Sequence, residues 1–75
     1  MYIHEAITAR TRDEPFITRQ SWVEDYGAYA WQGSKILPTN TPDCCLVQTR
    51  YSRTPCRGWQ PRAADLLADD WITVP

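Results

Sequence analysis

The stretch PRAADLLADDWITV, residues 61–74, decides the predicted fold because its pattern changes from helix to strand. Proline suits the first position of a helix, and the apolar residues after it recur at the spacing of one helical face. Those residues are Ala64, Leu67, Ala68 and Trp71. Residues 72–74, two of them apolar and all β-branched, favour a strand. We therefore predict a helix that begins at Pro61, includes Trp71 and passes directly into a C-terminal strand.

The rest of the chain repeats this mixture of elements. A short helix is predicted at 2–10, where Ile3, Ala6 and Ile7 share one face. The later segments are strand 16–20, polar loop 21–27, a hairpin of 28–31 and 36–37 around the turn 32–35, loop 38–43, strand 44–51 and loop 52–58. The prediction is a single α+β domain over residues 1–75, a small antiparallel β-sheet with two helices packed on one face.

The length of the chain limits its core. A single core in a protein of 75 residues rarely contributes more than roughly 3–5 kcal/mol. The adjacent Cys44 and Cys45 do not form a spaced disulfide framework, and with Cys56 and the distant His4 they match no zinc pattern. We expect reduced cysteines that pack as apolar residues, with no metal and no cofactor. Without disulfides or a structural metal, oligomerisation remains as the additional source of stability, so a homo-oligomer is expected.

Charge and hydropathy exclude several functions. A net charge of −1 argues against binding a nucleic acid polymer through its phosphates. The sequence shows neither a signal segment nor an apolar run of about 18 residues, so we predict a cytoplasmic protein without a membrane partner. Seven of the eight basic residues are arginines, which suit bidentate binding of phosphate or carboxylate.

No catalytic set is visible. His4 is the single histidine, and no nucleophile–base pair lies near it in the sequence. We therefore predict that the protein is not an enzyme, while acid–base chemistry by Asp or Glu side chains from distant positions stays open.

Three aromatic residues, Trp22, Tyr26 and Trp59, lie in predicted loops with polar neighbours. Arg19 precedes the first of them and Arg57 the last. A nucleotide site needs rings that stack on a base and guanidinium groups that bind its phosphates. These five residues are therefore predicted ligand contacts. A subunit interface favours the same residue types and is the alternative.

The predicted helix at Pro61 adds two candidates. Its N-terminal N–H groups, together with Arg62, could bind a phosphate beside Trp59. Asp65, one turn into the helix, is a candidate acceptor for ribose hydroxyl groups. Solvation or pairing with an arginine is the alternative for this carboxylate.

Four motifs together resemble one protein family. They are Ile3-His4-Glu5-Ala6-Ile7, Arg19-Gln20-Ser21-Trp22, Gly58-Trp59-Gln60-Pro61 and Asp65-Leu66-Leu67-Ala68-Asp69-Asp70-Trp71. Over most of its length the chain resembles the small phage and prophage Thoeris anti-defence family, second type. The C-terminal motif is the specific part.

The resemblance implies a sponge that sequesters a signal molecule without cleaving it. Members are homo-oligomers, reported as tetramers, that hold cyclic ADP-ribose isomers made by bacterial TIR-domain immune proteins; some also hold cyclic oligonucleotides of a related defence system. Trp22 and Trp59 resemble the ligand-stacking positions, and Tyr26 resembles the aromatic residue after the first. The assembly is expected to be a tetramer, with a dimer as the alternative. A protein–protein interaction module and a nucleotide-degrading enzyme are the competing hypotheses.

Overall fold

The computed structural model describes residues 1–26, 34–40, 45–49, 54 and 57–75. The helices in these ranges are α1 (Ile3–Ala9), α2 (Gln20–Tyr26) and α3 (Ala63–Leu67). The strands are β1 (Phe16–Arg19), β2 (Ser34–Pro38), β3 (Cys45–Thr49), β4 (Arg57–Gly58) and β5 (Trp71–Val74). The predicted α+β class is confirmed.

The described strands form one antiparallel sheet in the order β4-β3-β2-β1-β5. The C-terminal strand β5 lies beside β1, with Trp71 opposite Arg19. On the other side of β1, Ile17 lies opposite Ile36 of β2. Directly opposite residues point to the same face of a sheet, so Ile17 and Ile36 share a face. Four strands of four or five residues make up most of the sheet, and β4 contributes only two residues.

The core lies on that face. Ala6 of α1, the two isoleucines of β1 and β2, and Trp71 have no accessible surface. Partly buried side chains pack against them: Ile3, Ile7, Trp22, Cys45, Val47, Trp59 and Ala68. Apolar side chains of two helices, α1 and α2, thus cover one face of an antiparallel sheet. The predicted arrangement is present, although its second helix was expected to be the one that begins at Pro61. Trp71 is a core residue, which also agrees with the sequence analysis.

The first helix is tied to the last strand by backbone hydrogen bonds. The N–H of Tyr2 donates to Glu5 Oε1 at 2.8 Å, so a carboxylate in the first turn satisfies an N–H group that the helix leaves unpaired. The N–H of Trp71 donates to the Met1 carbonyl at 2.9 Å, and the Met1 amino group donates to the Asp69 carbonyl at 2.8 Å. The first residue of the chain therefore lies beside the start of β5.

One predicted loop is a helix. Residues 21–27 were expected to form a polar loop, whereas Gln20–Tyr26 is α2. Its first turn is capped from a distant part of the sequence: Gln20 N–H donates to the Asp70 carbonyl at 2.8 Å and Ser21 N–H to Asp70 Oδ2 at 3.1 Å. Because the cap comes from the other end of the chain, the local pattern could not show it.

The predicted C-terminal helix is shorter than expected. It was to begin at Pro61 and include Trp71, but α3 has five residues and ends at Leu67. Ala68 is extended (φ −67°, ψ 146°), and Trp71 is the first residue of β5, where it pairs with Arg19. The predicted apolar face is also wrong, since Leu67 is 77 % exposed. Pairing with β1 draws the tryptophan out of the helix.

A second predicted loop, 52–58, contains a short strand. Arg57 and Gly58 pair with Val47 and Leu46 of β3, and the next N–H, that of Trp59, donates to the Cys45 carbonyl at 2.7 Å. The predicted strand at 28–31 lies outside the described residues, as does Cys44. No helix in the described ranges is long and apolar enough to cross a membrane.

Candidate functional site

Three tryptophans meet at the start of β5. The rings of Trp22 and Trp59 each meet the buried ring of Trp71 edge to face, with centroid distances of 5.4 and 5.7 Å and interplanar angles of 77° and 78°. Edge-to-face contact is a favoured aromatic geometry, contributing about 0.5–1.5 kcal/mol per pair beyond area burial. Trp22 and Trp59 stay partly accessible, so a fixed inner ring holds two outer rings at the protein surface.

The side chain of Arg19 lies next to this cluster. Its Nε donates to Asp70 Oδ1 at 3.0 Å and one terminal nitrogen donates to Asp65 Oδ1 at 3.2 Å. Its guanidinium carbon also lies 5.9 Å from the centroid of the Trp22 ring, within the range of a cation–π contact. Arg19 thus joins β1, α3 and the turn before β5, and its positive charge is already compensated by two carboxylates.

The electrostatics follow from these contacts. The hydrogen bond to Asp70, assisted by the charges of Asp70 and Asp65, raises the pKa of Arg19 although partial burial opposes it. Burial disfavours the charged form of Asp70, but the hydrogen bonds from Arg19 and Ser21 outweigh it and lower the pKa of this carboxyl. The pair is therefore ionised at neutral pH.

The side chain of Asp65 is nearly buried, with 5 % of its surface accessible. Besides accepting from Arg19, it accepts the backbone N–H of Arg62 at Oδ2, at 2.9 Å. It also lies in the first turn of α3, where the helix dipole favours a negative charge. The pairing with an arginine that was the alternative for this residue is present, and its role as a ribose ligand stays a prediction.

The remaining predicted residues border this cluster. The side chain of Arg62 is 81 % exposed, and its Nε lies 3.9 Å from Asp65 Oδ2. Tyr26 is the last residue of α2, and Arg57 is the first of β4; their side chains lie outside what the structure describes. The helix begins at Ala63 rather than Pro61, and Asp65 accepts the N–H of Arg62 at its cap. The phosphate site at this helix N-terminus stays a prediction.

Sequence reasoning missed the role of Asp70. This residue accepts hydrogen bonds from Arg19 and Ser21, which lie 51 and 49 residues away in the chain. Because both partners are distant, no local pattern marks Asp70. Trp71 was assigned to the core correctly, but not as the ring on which the two outer indoles rest.

A cavity of about 200 Å³ lies elsewhere on the molecule. Its lining residues are Ile7, Arg10, Pro38, Thr39, Asn40 and Cys45. None of the predicted ligand residues whose side chains are described lines it.

The fold and this cluster together define a small α+β domain whose surface presents aromatic rings beside a guanidinium–carboxylate network. The chain belongs to the Thoeris anti-defense 2-like domain (Tad2-like) family, whose model matches residues 1–74. Membership confirms the resemblance drawn from the motifs and implies an anti-defence role against Thoeris. Comparisons with curated proteins and with solved structures found no match.

Proposed function

We propose that this protein is a sponge for a nucleotide-derived immune signal. It binds a cyclic ADP-ribose isomer made by a TIR-domain protein and withholds it from the Thoeris effector, without cleaving it. The protein acts in the cytoplasm of the infected bacterial cell. Two things support the proposal: the family to which the chain belongs, and the cluster of three tryptophans that the fold builds.

The observation that carries the proposal is the position of Trp22 and Trp59. They come from separate segments, yet both rest on Trp71 and both keep accessible surface. An indole that is packed against another ring has little freedom to lose on binding, and so it is preorganised for stacking on a base. Stacking contributes about 1–3 kcal/mol per base.

The charged residues divide into two roles in this proposal. Arg62, which is exposed, and Arg57 bind the phosphates of the ligand as guanidinium donors. Arg19 is engaged by two carboxylates and positions Trp22, over which its guanidinium lies. Asp65 holds Arg19 and offers its remaining acceptor capacity to a ribose hydroxyl.

Binding energy limits what one copy can do. Sub-micromolar affinity needs more than about 8 kcal/mol, which exceeds what two stacked rings provide. Tyr26 and groups from a neighbouring copy complete the site, so the working form is a homo-oligomer, a tetramer in our proposal. Because sequestration requires no bond to be broken, the proposed function needs no catalytic residue.

A titration tests the proposal. Purified protein is titrated with cyclic ADP-ribose isomers, with linear ADP-ribose as the control, and the intrinsic tryptophan fluorescence is followed. We expect a saturable change with a dissociation constant below about 1 μM for a cyclic isomer and a weaker one for the linear compound. Cyclic oligonucleotides are titrated in parallel. If only they gave a saturable change, the protein would be a sponge for the cyclic oligonucleotide signals of a related defence system. No saturable change with any cyclic nucleotide would contradict the proposal.

A further inference from the structure

The outward face of α3 is apolar and exposed. Leu66 is 50 % and Leu67 is 77 % exposed, and Ala63 is exposed as well. These residues follow one another at the i, i+3, i+4 spacing of one helical face. Asp65 alone in this helix points inward, where Arg19 holds it. The helix therefore presents its apolar side to solvent, opposite to the usual arrangement.

The N-terminal residues, which lie near the end of α3, also expose apolar side chains. Met1 and Tyr2 are 44 % and 49 % exposed, and they complete the set of exposed large apolar residues in the described part of the chain. The hydrogen bond from the Met1 amino group to the Asp69 carbonyl places the backbone of Met1 beside the segment that follows α3. We name the set Met1, Tyr2, Ala63, Leu66 and Leu67 the α3 surface. Exposed apolar residues grouped in this way are typical of an interaction site.

Opposite charges stand at the two ends of the α3 surface. Arg62, just before the helix, is 81 % exposed, and Asp69, just after it, is exposed too. When two copies of such a surface meet antiparallel about a two-fold axis, the positive end of each faces the negative end of the other. The surface is thus complementary to itself in both apolar character and charge.

We propose that two copies of this chain associate through the α3 surface in an antiparallel arrangement. Leu66 and Leu67 pack against the same face of α3 in the second copy, and Arg62 pairs with Asp69 of that copy at both ends. The five N–H donors of a guanidinium allow Arg62 to make this pair while one edge still faces a ligand. The inference rests on the homo-oligomer of the proposed function and places one of its interfaces, and its test needs no ligand.

Charge reversal tests the pairing directly. Arg62→Asp places aspartates opposite each other at both ends, and Asp69→Arg places arginines there. Each variant alone is expected to raise the dissociation constant of the self-associated protein at least about tenfold, measured by sedimentation equilibrium without ligand. In an equimolar mixture of the two variants every contact is again between opposite charges. Association in the mixture is therefore expected to return to within about threefold of the parent.

Two further variants serve as controls. Arg12→Asp makes the same charge change at an exposed residue outside the α3 surface and is expected to associate as the parent does. Leu67→Asp puts a charge at the centre of the surface and is expected to abolish association. Far-UV circular dichroism and thermal melting confirm that each variant is folded. A monomeric parent, or single variants that associate as the parent does, or a mixture that recovers nothing, would overturn the proposal.

Discussion

The indole N–H of Trp71 donates a hydrogen bond of 2.9 Å to the carbonyl oxygen of Asp65. In a longer helix this carbonyl would accept the N–H four residues on, but α3 ends at Leu67. The tryptophan that begins β5 thus satisfies a carbonyl that the early end of α3 leaves without its helical partner. This bond joins the core of the sheet to the helix that carries Arg62 and Asp65.

Replacing this tryptophan tests the importance of the bond. Trp71→Phe keeps an aromatic ring but leaves a buried carbonyl without its donor and opens a cavity. We expect the free energy of unfolding to fall by about 2–4 kcal/mol, measured by urea denaturation. Trp59→Phe is the matched control at a partly accessible position and is expected to cost less than half as much. Equal losses for the two variants would show that the bond contributes little.

The Arg19–Asp70 pair predicts a dependence of stability on pH. Because the pKa of Asp70 is lowered in the folded protein, its contribution is complete above the unfolded value of about 4. That contribution is lost as the pH falls through the lower folded value. Between pH 7 and pH 3 the parent is therefore expected to lose more unfolding free energy than Asp70→Asn, which lacks the contribution throughout.

Urea denaturation at each pH measures this difference. Asp13→Asn changes the same charge at an exposed loop residue, and its loss of stability on acidification is expected to follow that of the parent. If Asp70→Asn lost as much unfolding free energy as the parent between pH 7 and pH 3, the pKa of Asp70 would not differ between the folded and unfolded chain, and the prediction would be wrong.

The elements that could be predicted are those whose signal is local. The spacing of Ile3, Ala6 and Ile7 predicts α1, and residues 16–20 and 72–74 predict the strands that pair as β1 and β5. The elements that were missed depend on distant partners. The helix α2 begins where Asp70 accepts its first N–H groups, and α3 stops early because Trp71 pairs with Arg19.

The candidate site divides in the same way. Trp22, Trp59, Arg19 and Asp65 could be singled out from residue type and neighbourhood, and the structure brings these four together around Trp71. That Arg19 is bound by two carboxylates could not be predicted, since the pairs span 46 and 51 residues. The sequence shows which charged and aromatic side chains are available, whereas the fold determines which of the charged side chains form ion pairs with each other.

The two outer rings give a direct prediction for ligand affinity. Trp22→Ala and Trp59→Ala each remove a stacking surface and are expected to weaken binding of the cyclic nucleotide by about tenfold or more in the fluorescence or calorimetric titration. Trp22→Phe and Trp59→Phe keep a flat ring and are the matched controls, expected to stay within about tenfold of the parent. Alanine variants that are folded and bind as the parent does would contradict the stacking assignment.

Recovery of the ligand tests the central claim most directly. The protein is incubated with a cyclic ADP-ribose isomer, freed of unbound material and denatured by heat, and the supernatant is analysed by mass spectrometry. A sponge releases the isomer with its mass and chromatographic position unchanged. A hydrolysed or rearranged product would show an enzyme instead, and a supernatant without nucleotide would show that the protein does not capture this signal.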